Sequence, residues 1–167
     1  MTETRGDGTT MVLGLGNLLL GDEGFGVHVV RRLREMELPP NVRVEEGGVG
    51  SFNLLGLLEG VERLIVVDAM MLTSPPGELH LLRPQDVTEP GKHILSFHQV
   101  GVLELVRMCS LLGHEPETVF VVARPQEIEW STELSPPMQF AVGQATEFIR
   151  RLCEDIPMKG TETLCTS

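Results

Sequence analysis

Residues 64–67 (LIVV) constrain the fold more than any other segment of the chain. All four side chains are apolar, and the charged residues Arg63 and Asp68 bound them. A strand that is apolar on both sides has to be covered on both faces, as in parallel sheets with helices above and below. Residues 119–122 (VFVV) have the same character. The chain is therefore expected to build its core around a buried sheet.

Between these strands the apolar residues recur with the period of an amphipathic helix. Helices are predicted over residues 27–36, 98–112 and 138–152, with a short one over 52–58 that Ser51 can cap. Further strands are predicted over residues 11–16, 42–45 and 77–82, and a loop over 84–96. Strands that alternate with helices predict an α/β fold in three layers. We expect a twisted, mostly parallel sheet with helices on both faces and one antiparallel strand near residue 80.

The length of 167 residues fits a single domain. We expect a polar N-terminal extension over residues 1–10, a single α/β domain over 11–154 and a flexible tail over 155–167. No stretch approaches the roughly 18 apolar residues that span a bilayer, and the first ten residues lack the pattern of a signal peptide. The cytoplasm is the expected compartment.

The charge balance excludes some classes of partner. The formal net charge is −11, from 24 acidic and 13 basic residues, and such a surface repels nucleic acids and anionic membranes. An acidic surface can bind a cation or a basic protein, although a net negative charge also simply keeps a protein soluble. The three cysteines are far apart and form no CxxC pair, so no disulfide framework is expected. Cys109 and Cys153 fall at predicted helices, where a buried structural thiol is the usual explanation.

Several polar residues follow the predicted strands, where open α/β sheets bind their ligands. Asp22 and Glu23 follow the first strand, Glu46 follows the second and Asp68 follows the third. His98 opens a helix after a long loop. Two carboxylates and one imidazole are a suitable set of ligands for nickel or zinc, and three protein ligands leave room for water or a substrate group.

Each of these residues also has a purely structural explanation. Asp68 can cap the turn after its strand, and Glu23 with Asp22 can stabilise the start of a helix. For Asp22, turn capping is the expected role. A single histidine such as His98 is more often a buried structural residue than a ligand. From the chemistry of the residues alone, both interpretations stay open.

Other catalytic patterns are incomplete. The segment GLGN resembles the start of a dinucleotide-binding loop, but Leu19 stands where the third glycine of GxGxxG is required. The chain has no GxSxG nucleophile elbow. No cysteine is placed at a strand end beside a histidine, so serine or cysteine peptidase chemistry has no support.

Four segments together resemble the hydrogenase maturation proteases, in the order and approximate spacing of that family. They are GLGNLLLGDEGFGV (14–27), EGGVGS (46–51), LIVVDAM (64–70) and FHQVG (97–101). The similarity extends over residues 11–152. It implies an endopeptidase that removes the C-terminal extension of a nickel–iron hydrogenase large-subunit precursor after nickel insertion, and a twisted sheet flanked by helices.

The resemblance also assigns residues. It implies that Glu23, Asp68 and His98 act in catalysis by engaging a metal, and that the loop containing Glu46, Gly47 and Gly48 binds substrate. Nickel is expected to arrive with the precursor, and zinc or cadmium can replace it in the isolated protein. The family often has Asp where this chain has Glu46, a difference that bears on the choice of substrate.

Two rival functions share some of these features. A nickel-dependent checkpoint or chaperone for the hydrogenase precursor could use the same three residues without cutting the chain. A nucleotide or peptidyl-RNA hydrolase can also begin with GLGN, but it needs a basic groove, against which a net charge of −11 argues.

Overall fold

A computed structural model describes residues 8–48, 54–88, 96–154 and 162–164. It contains one sheet of six strands in the order β2-β1-β3-β5-β4-β6. The strands are β1 (Thr9–Leu15), β2 (Val42–Gly48), β3 (Val61–Ala69), β4 (Leu79–Leu82), β5 (Glu117–Ala123) and β6 (Glu162–Leu164). The helices are α1 (Phe25–Arg34), α2 (Leu54–Leu57), α3 (Pro84–Val87), α4 (Phe97–Leu111) and α5 (Pro136–Cys153), with a 3-10 helix over Gly21–Gly24 before α1.

The sheet confirms the predicted α/β class. Strands β2, β1, β3 and β5 run parallel to one another, whereas β4 runs antiparallel to β5 through the pair Leu81 and Val121. The antiparallel strand predicted near residue 80 is therefore present. No helix of the described residues is long and apolar enough to cross a membrane.

Each face of the sheet carries its own apolar cluster. On one face, which we call the α1/α5 face, Val67 and Val121 pack against Phe25 and Met138. On the opposite face, the α4 face, Val66 and Val122 are among the strand residues that pack with Leu105 of α4. Because strand side chains alternate between faces, consecutive residues of β3 enter the two clusters in turn. The central strand is apolar on both sides for this reason.

The order of the strands creates a natural binding edge. Helix α1 connects β1 to β2, which lies on one side of β1. Helix α2 then connects β2 to β3, which lies on the other side of β1. The direction of winding thus reverses between β1 and β3. Ligands of open α/β sheets bind at the carboxyl ends of the strands at such a reversal. The segment after β1 contains Glu23, and β3 ends beside Asp68.

Several details differ from the sequence-based expectations. Pro84–Val87, expected as part of a loop, is a short helix whose first position is proline, where the missing N–H costs nothing. Glu162–Leu164, expected within a flexible tail, pairs antiparallel with β4, whose outer edge offers unpaired backbone groups. The rest of the tail, residues 1–7 and the proposed cap Ser51 lie outside the described residues. Cys109 and Cys153 are buried and free, as expected of structural thiols.

The glycine at position 26 brings α1 into direct contact with two strands. A Cβ on Gly26 would lie 2.1 Å from the carbonyl oxygen of Val67 and 2.4 Å from that of Leu15. Only a hydrogen fits in this space. The start of α1, and with it the 3-10 helix that carries Glu23, is therefore pressed against the carboxyl ends of β1 and β3.

Replacing Gly26 by alanine should destabilise the protein by about 1–3 kcal/mol or more, because the methyl group overlaps two backbone carbonyls. Urea unfolding measures this change. Gly143→Ala is the matched control in α5, where the nearest atom to a new Cβ lies 3.8 Å away, and it should stabilise by about 0.5–1 kcal/mol. Equal stability of Gly26→Ala and the wild type would contradict the close approach.

Candidate functional site

Glu23, Asp68 and His98 meet at the edge between β1 and β3. His98 Nδ1 lies 2.8 Å from Asp68 Oδ2, and His98 Nε2 lies 3.2 Å from Glu23 Oε1. The side chain of Asp68 is 0% exposed, that of His98 7% and that of Glu23 20%. The imidazole thus links a buried carboxylate to one that reaches solvent, and residues 75 positions apart come into contact.

The first turn of α4 fixes the position of His98. Ser96 is the N-cap of this helix, and its hydroxyl accepts the backbone N–H of Gln99 at 3.3 Å. The side-chain Oε1 of Gln99 accepts the backbone N–H of Ser96 at 3.0 Å. This reciprocal capping box defines where the helix begins. The Ser96 hydroxyl also lies 3.1 Å from His98 Nδ1, so the cap and the site share one residue.

Gln99 is a site residue that the sequence analysis missed. It is 1% exposed, and its Nε2 donates to Asp68 Oδ2 at 2.9 Å and to the Ala69 carbonyl at 3.1 Å. Both N–H groups and the carbonyl oxygen of the amide are therefore engaged between α4 and the end of β3. The signal was the spacing Ser-x-x-Gln before an apolar run, which predicts a capping box. Asp68 is held by Gln99 from one side and by the Ala69 N–H, at 2.8 Å, from the other.

Glu23 is positioned by the 3-10 helix that follows β1. The backbone of Gly16 has φ +131, and a Cβ on this residue would lie 1.9 Å from the Glu23 carbonyl oxygen. Only glycine combines that dihedral with that contact. The GLGN turn therefore packs directly beneath the residue that carries the exposed carboxylate of the site.

Asp22 does not cap a local turn, as the sequence had suggested. It is 1% exposed and accepts four hydrogen bonds from the segment after β5. Oδ2 accepts the backbone N–H groups of Gln126 and Glu127 at 2.9 and 3.3 Å and the Ser135 hydroxyl at 2.8 Å, while Oδ1 accepts the Ser135 N–H at 2.7 Å. Contacts more than 100 residues apart in sequence could not be foreseen from local spacing. Asp22 joins the 3-10 helix to the connection that leads into α5.

The predicted substrate loop lies at the end of β2, on the other side of β1 from Asp68. The carboxylate of Glu46 accepts from Arg31 Nε at 2.8 Å and from Arg34 Nη1 at 3.2 Å, and the guanidinium of Arg31 lowers the pKa of Glu46. The Gly48 carbonyl accepts the N–H of Gly16 at 3.2 Å, next to the turn beneath Glu23. Gly47 is buried. The role of this loop in substrate binding stays a prediction.

Burial and hydrogen bonding control the protonation of the site. Complete burial raises the pKa of the Asp68 carboxyl, and the hydrogen bonds from His98 and Gln99 offset this only in part. Burial alone would lower the pKa of His98, but the hydrogen bonds and charges of Asp68 and Glu23 outweigh it and raise that pKa. The Asp68–His98 pair therefore retains its proton to a higher pH than an isolated histidine would.

The three side chains form a hydrogen-bonded row in which the imidazole lies between the carboxylates. Within the described ranges, no group of three or more His, Cys, Asp or Glu side chains is already arranged to hold a metal ion. The row nevertheless offers carboxylate oxygen and imidazole nitrogen, the donors that nickel and zinc accept. Glu23 Oε1 and His98 Nε2, 3.2 Å apart, are spaced much as two ligands of one divalent ion, roughly 3 Å for bonds of about 2.1 Å.

The Asp22 anchor can be tested by Asp22→Asn. The amide places N–H groups against backbone donors, so we expect a loss of about 1.5–3 kcal/mol of folding free energy and faster hydrogen exchange at residues 126, 127 and 135. Glu104→Gln, at a carboxylate that is 61% exposed on α4, is the control and should change stability by no more than about 0.5 kcal/mol. Unchanged exchange in Asp22→Asn would refute the anchor.

The row of hydrogen bonds can be tested by titrating the imidazole signals of the metal-free protein by NMR. His98 should have a pKa above the ordinary value, and Asp68→Asn should lower it because a charge that favours the imidazolium is removed. His28 serves as an internal reference, since burial and Arg31 lower its pKa. An unchanged pKa of His98 in Asp68→Asn would contradict this row of hydrogen bonds.

Comparison with known proteins places this geometry in a family. A family model for hydrogenase maturation proteases matches residues 27–152. Hydrogenase expression/formation protein HupD of Bradyrhizobium diazoefficiens is 37% identical over 143 residues, which are 83% of this chain and 74% of that protein. Hydrogenase 2 maturation protease of Escherichia coli is 31% identical over 140 residues, or 82% and 85% of the two chains.

Solved structures share the fold. The hydrogenase maturating endopeptidase HybD of E. coli superposes with a TM-score of 0.80 and 29% identity, covering 87% of this chain and 92% of that one. The [NiFe] hydrogenase maturation protease HybD of Thermococcus kodakarensis gives a TM-score of 0.75 and 27% identity, covering 87% and 99%. With a matching family model, relatives above 30% identity and the same sheet, this chain belongs to the hydrogenase maturation protease family and is a peptide-bond hydrolase.

Proposed function

We propose that this endopeptidase removes the C-terminal extension of a nickel–iron hydrogenase large-subunit precursor once nickel has been inserted. The observation that carries the proposal is the imidazole of His98 between two carboxylates, at the point where the winding of the sheet reverses, in a member of this family. Nickel is here part of the substrate. We expect the reaction to take place in the cytoplasm.

The nickel of the precursor would take the place of the hydrogen-bonded proton between Glu23 and His98. Their facing atoms, 3.2 Å apart, can both contact one ion after small movements. Asp68 becomes a third ligand if the imidazole turns about its Cβ–Cγ bond, and otherwise orients the ring through Nδ1. Either role requires the carboxylate. Precursor without nickel lacks this contact, so the site would distinguish loaded from empty substrate.

Cleavage is a hydrolysis of one peptide bond. A water oxygen adds to the scissile carbonyl carbon, the C–N bond breaks, and the departing amine takes up a proton. Nickel beside that carbonyl can polarise it, or can lower the pKa of the attacking water to roughly 7. The protein contributes orientation, because Glu23 and His98 fix the ion and α4 and β3 fix His98.

The loop with Glu46, Gly47 and Gly48 is proposed to contact the precursor beside this site. The contact between Gly48 and Gly16 places the end of the loop next to the turn beneath Glu23. Glu46 is already paired with Arg31 and Arg34. Its part in selecting a substrate would therefore be to shape this edge with its two arginines.

The cleavage assay uses a nickel-loaded and a nickel-free large-subunit precursor, with the mass of the precursor followed over time. Wild-type protein should shorten only the nickel-loaded form. Glu23→Gln, Asp68→Asn and His98→Gln should each reduce the rate by at least about 100-fold, since they alter the metal contacts directly or through the adjacent ring. Each replacement is close in size to the original side chain, but Asp68→Asn places an amide N–H against the donors around a buried carboxylate. Thermal unfolding of each variant therefore shows whether the fold is retained.

Glu104→Gln is the control for a lost carboxylate far from the site, and its rate should equal that of the wild type. Equal cleavage of the nickel-free precursor would contradict recognition of nickel. Nickel-dependent binding without any shortening would instead establish the checkpoint or chaperone function, which the same three residues could serve.

A further inference from the structure

Arg124 lies at the same edge of the sheet as the site but has no role in the proposal so far. It follows the last residue of β5, and its backbone continues the pairing with the neighbouring antiparallel segment. Its N–H donates to the Glu78 carbonyl at 3.2 Å, and its carbonyl accepts from Gly77 at 2.7 Å. The backbone of Arg124 is thus fixed on both sides.

The alternation of strand side chains places Arg124 on the face that holds Asp68. Asp68 is paired with Val122, two residues before Arg124. Val122 belongs to the apolar cluster of the α4 face, and Ala123 to that of the α1/α5 face, so Arg124 returns to the α4 face. From the strand spacings, the Cα atoms of Arg124 and Asp68 are about 8 Å apart.

Among the described residues, the side chain of Arg124 has no hydrogen-bond or ion-pair partner. Its Nε is buried and has no hydrogen-bond partner, and no ion pair of the described residues includes it. Glu78, directly across the strand pair, instead approaches His80 at 3.3 Å. Five other arginines pair with glutamates, namely Arg31, Arg34, Arg107, Arg150 and Arg151. Arg43 and Arg63 donate to backbone carbonyl groups instead. Leaving a buried donor unpaired is costly, so Arg124 is suited to a partner from outside the chain.

We propose that Arg124 binds a carboxylate of the precursor's C-terminal extension and so determines which extensions are accepted. The inference rests on the proposed function, because it assumes that the extension crosses this edge. A carboxylate fits the fork of guanidinium donors in two parallel hydrogen bonds, better than a single carbonyl does. In a chain with a net charge of −11, a cation at this edge of the sheet also favours the approach of an acidic segment.

The test compares Arg124→Gln and Arg124→Lys with the wild type on the nickel-loaded precursor. Affinity is measured by titration calorimetry, and kcat and KM are measured by cleavage. Arg124→Gln should weaken binding and raise KM by at least about 10-fold, because a charge-assisted pair is lost, while kcat changes less than about twofold. Arg124→Lys should restore part of the affinity, since it keeps the charge but not the fork.

Arg107→Gln is the control, because Arg107 is 78% exposed on α4 and contacts Glu104 only at 3.5 Å. It should leave affinity, kcat and KM unchanged. Thermal unfolding of each variant shows whether the fold is intact. Unchanged affinity in a folded Arg124→Gln would overturn the proposal, as would a loss confined to kcat, which would indicate a role in the transition state instead.

Two modified precursors identify the carboxylate. One has its C-terminus converted to an amide, and the other has the acidic side chains of its extension neutralised. If the C-terminal carboxylate is the partner of Arg124, the amidated precursor should bind the wild type and Arg124→Gln with equal affinity. If an acidic side chain is the partner, the neutralised precursor should do so. If the effect of Arg124→Gln persists with both, a carboxylate is not the partner. If the wild-type protein binds the nickel-loaded precursor but never cleaves it, the result counts against the proposed function alone. The role of Arg124 is still tested in that case, because calorimetry compares the affinities of the wild type and Arg124→Gln.

Discussion

The hydrogen bond between His98 and Asp68 is the interaction on which the rest of the site depends. It joins α4 to the end of β3 in the interior, with 2.8 Å between Nδ1 and Oδ2 and no solvent exposure of the aspartate side chain. A buried carboxylate without partners would be strongly destabilising. Here the imidazole, the Gln99 amide and the Ala69 N–H all satisfy it. The pair therefore fixes the ring while leaving Nε2 directed toward Glu23 and the outer edge.

The backbone around the site is arranged so that this outer nitrogen meets a carboxylate. Gly26 lets the start of α1 touch the ends of β1 and β3, and Gly16 lets the preceding turn pack beneath Glu23. Asp22, next to Glu23, faces the other way and holds the connection before α5 through four hydrogen bonds. Adjacent acidic residues thus have different surroundings: Asp22 holds the frame, and Glu23 is the residue that we propose contacts the substrate metal.

The sequence predicted the features that depend on local pattern. Continuous apolar strands such as residues 64–67 required a sheet covered on both faces. Glu23, Asp68 and His98 were candidates from their places after strands or at a helix start, and the resemblance to the family selected them. The structure brings the three side chains together, while their role toward a metal stays a prediction. The four-bond role of Asp22 and the amide bridge of Gln99 were missed, because both depend on contacts between segments distant in sequence. The unpaired guanidinium of Arg124 likewise becomes visible only when the neighbours of β5 are known. The edge strand β6 was missed because three residues, two of them polar, carry almost no strand signal.

The central claim is that His98 contacts the nickel of the substrate. X-ray absorption at the nickel edge of a loaded precursor, recorded alone and with an excess of the protease in its uncleaved complex, tests it most directly. We expect the nickel in the complex to have additional oxygen or nitrogen ligands from the protease, including the scattering pattern of one imidazole. His98→Gln should abolish that imidazole pattern. An identical nickel environment with and without bound wild-type protease would contradict the account.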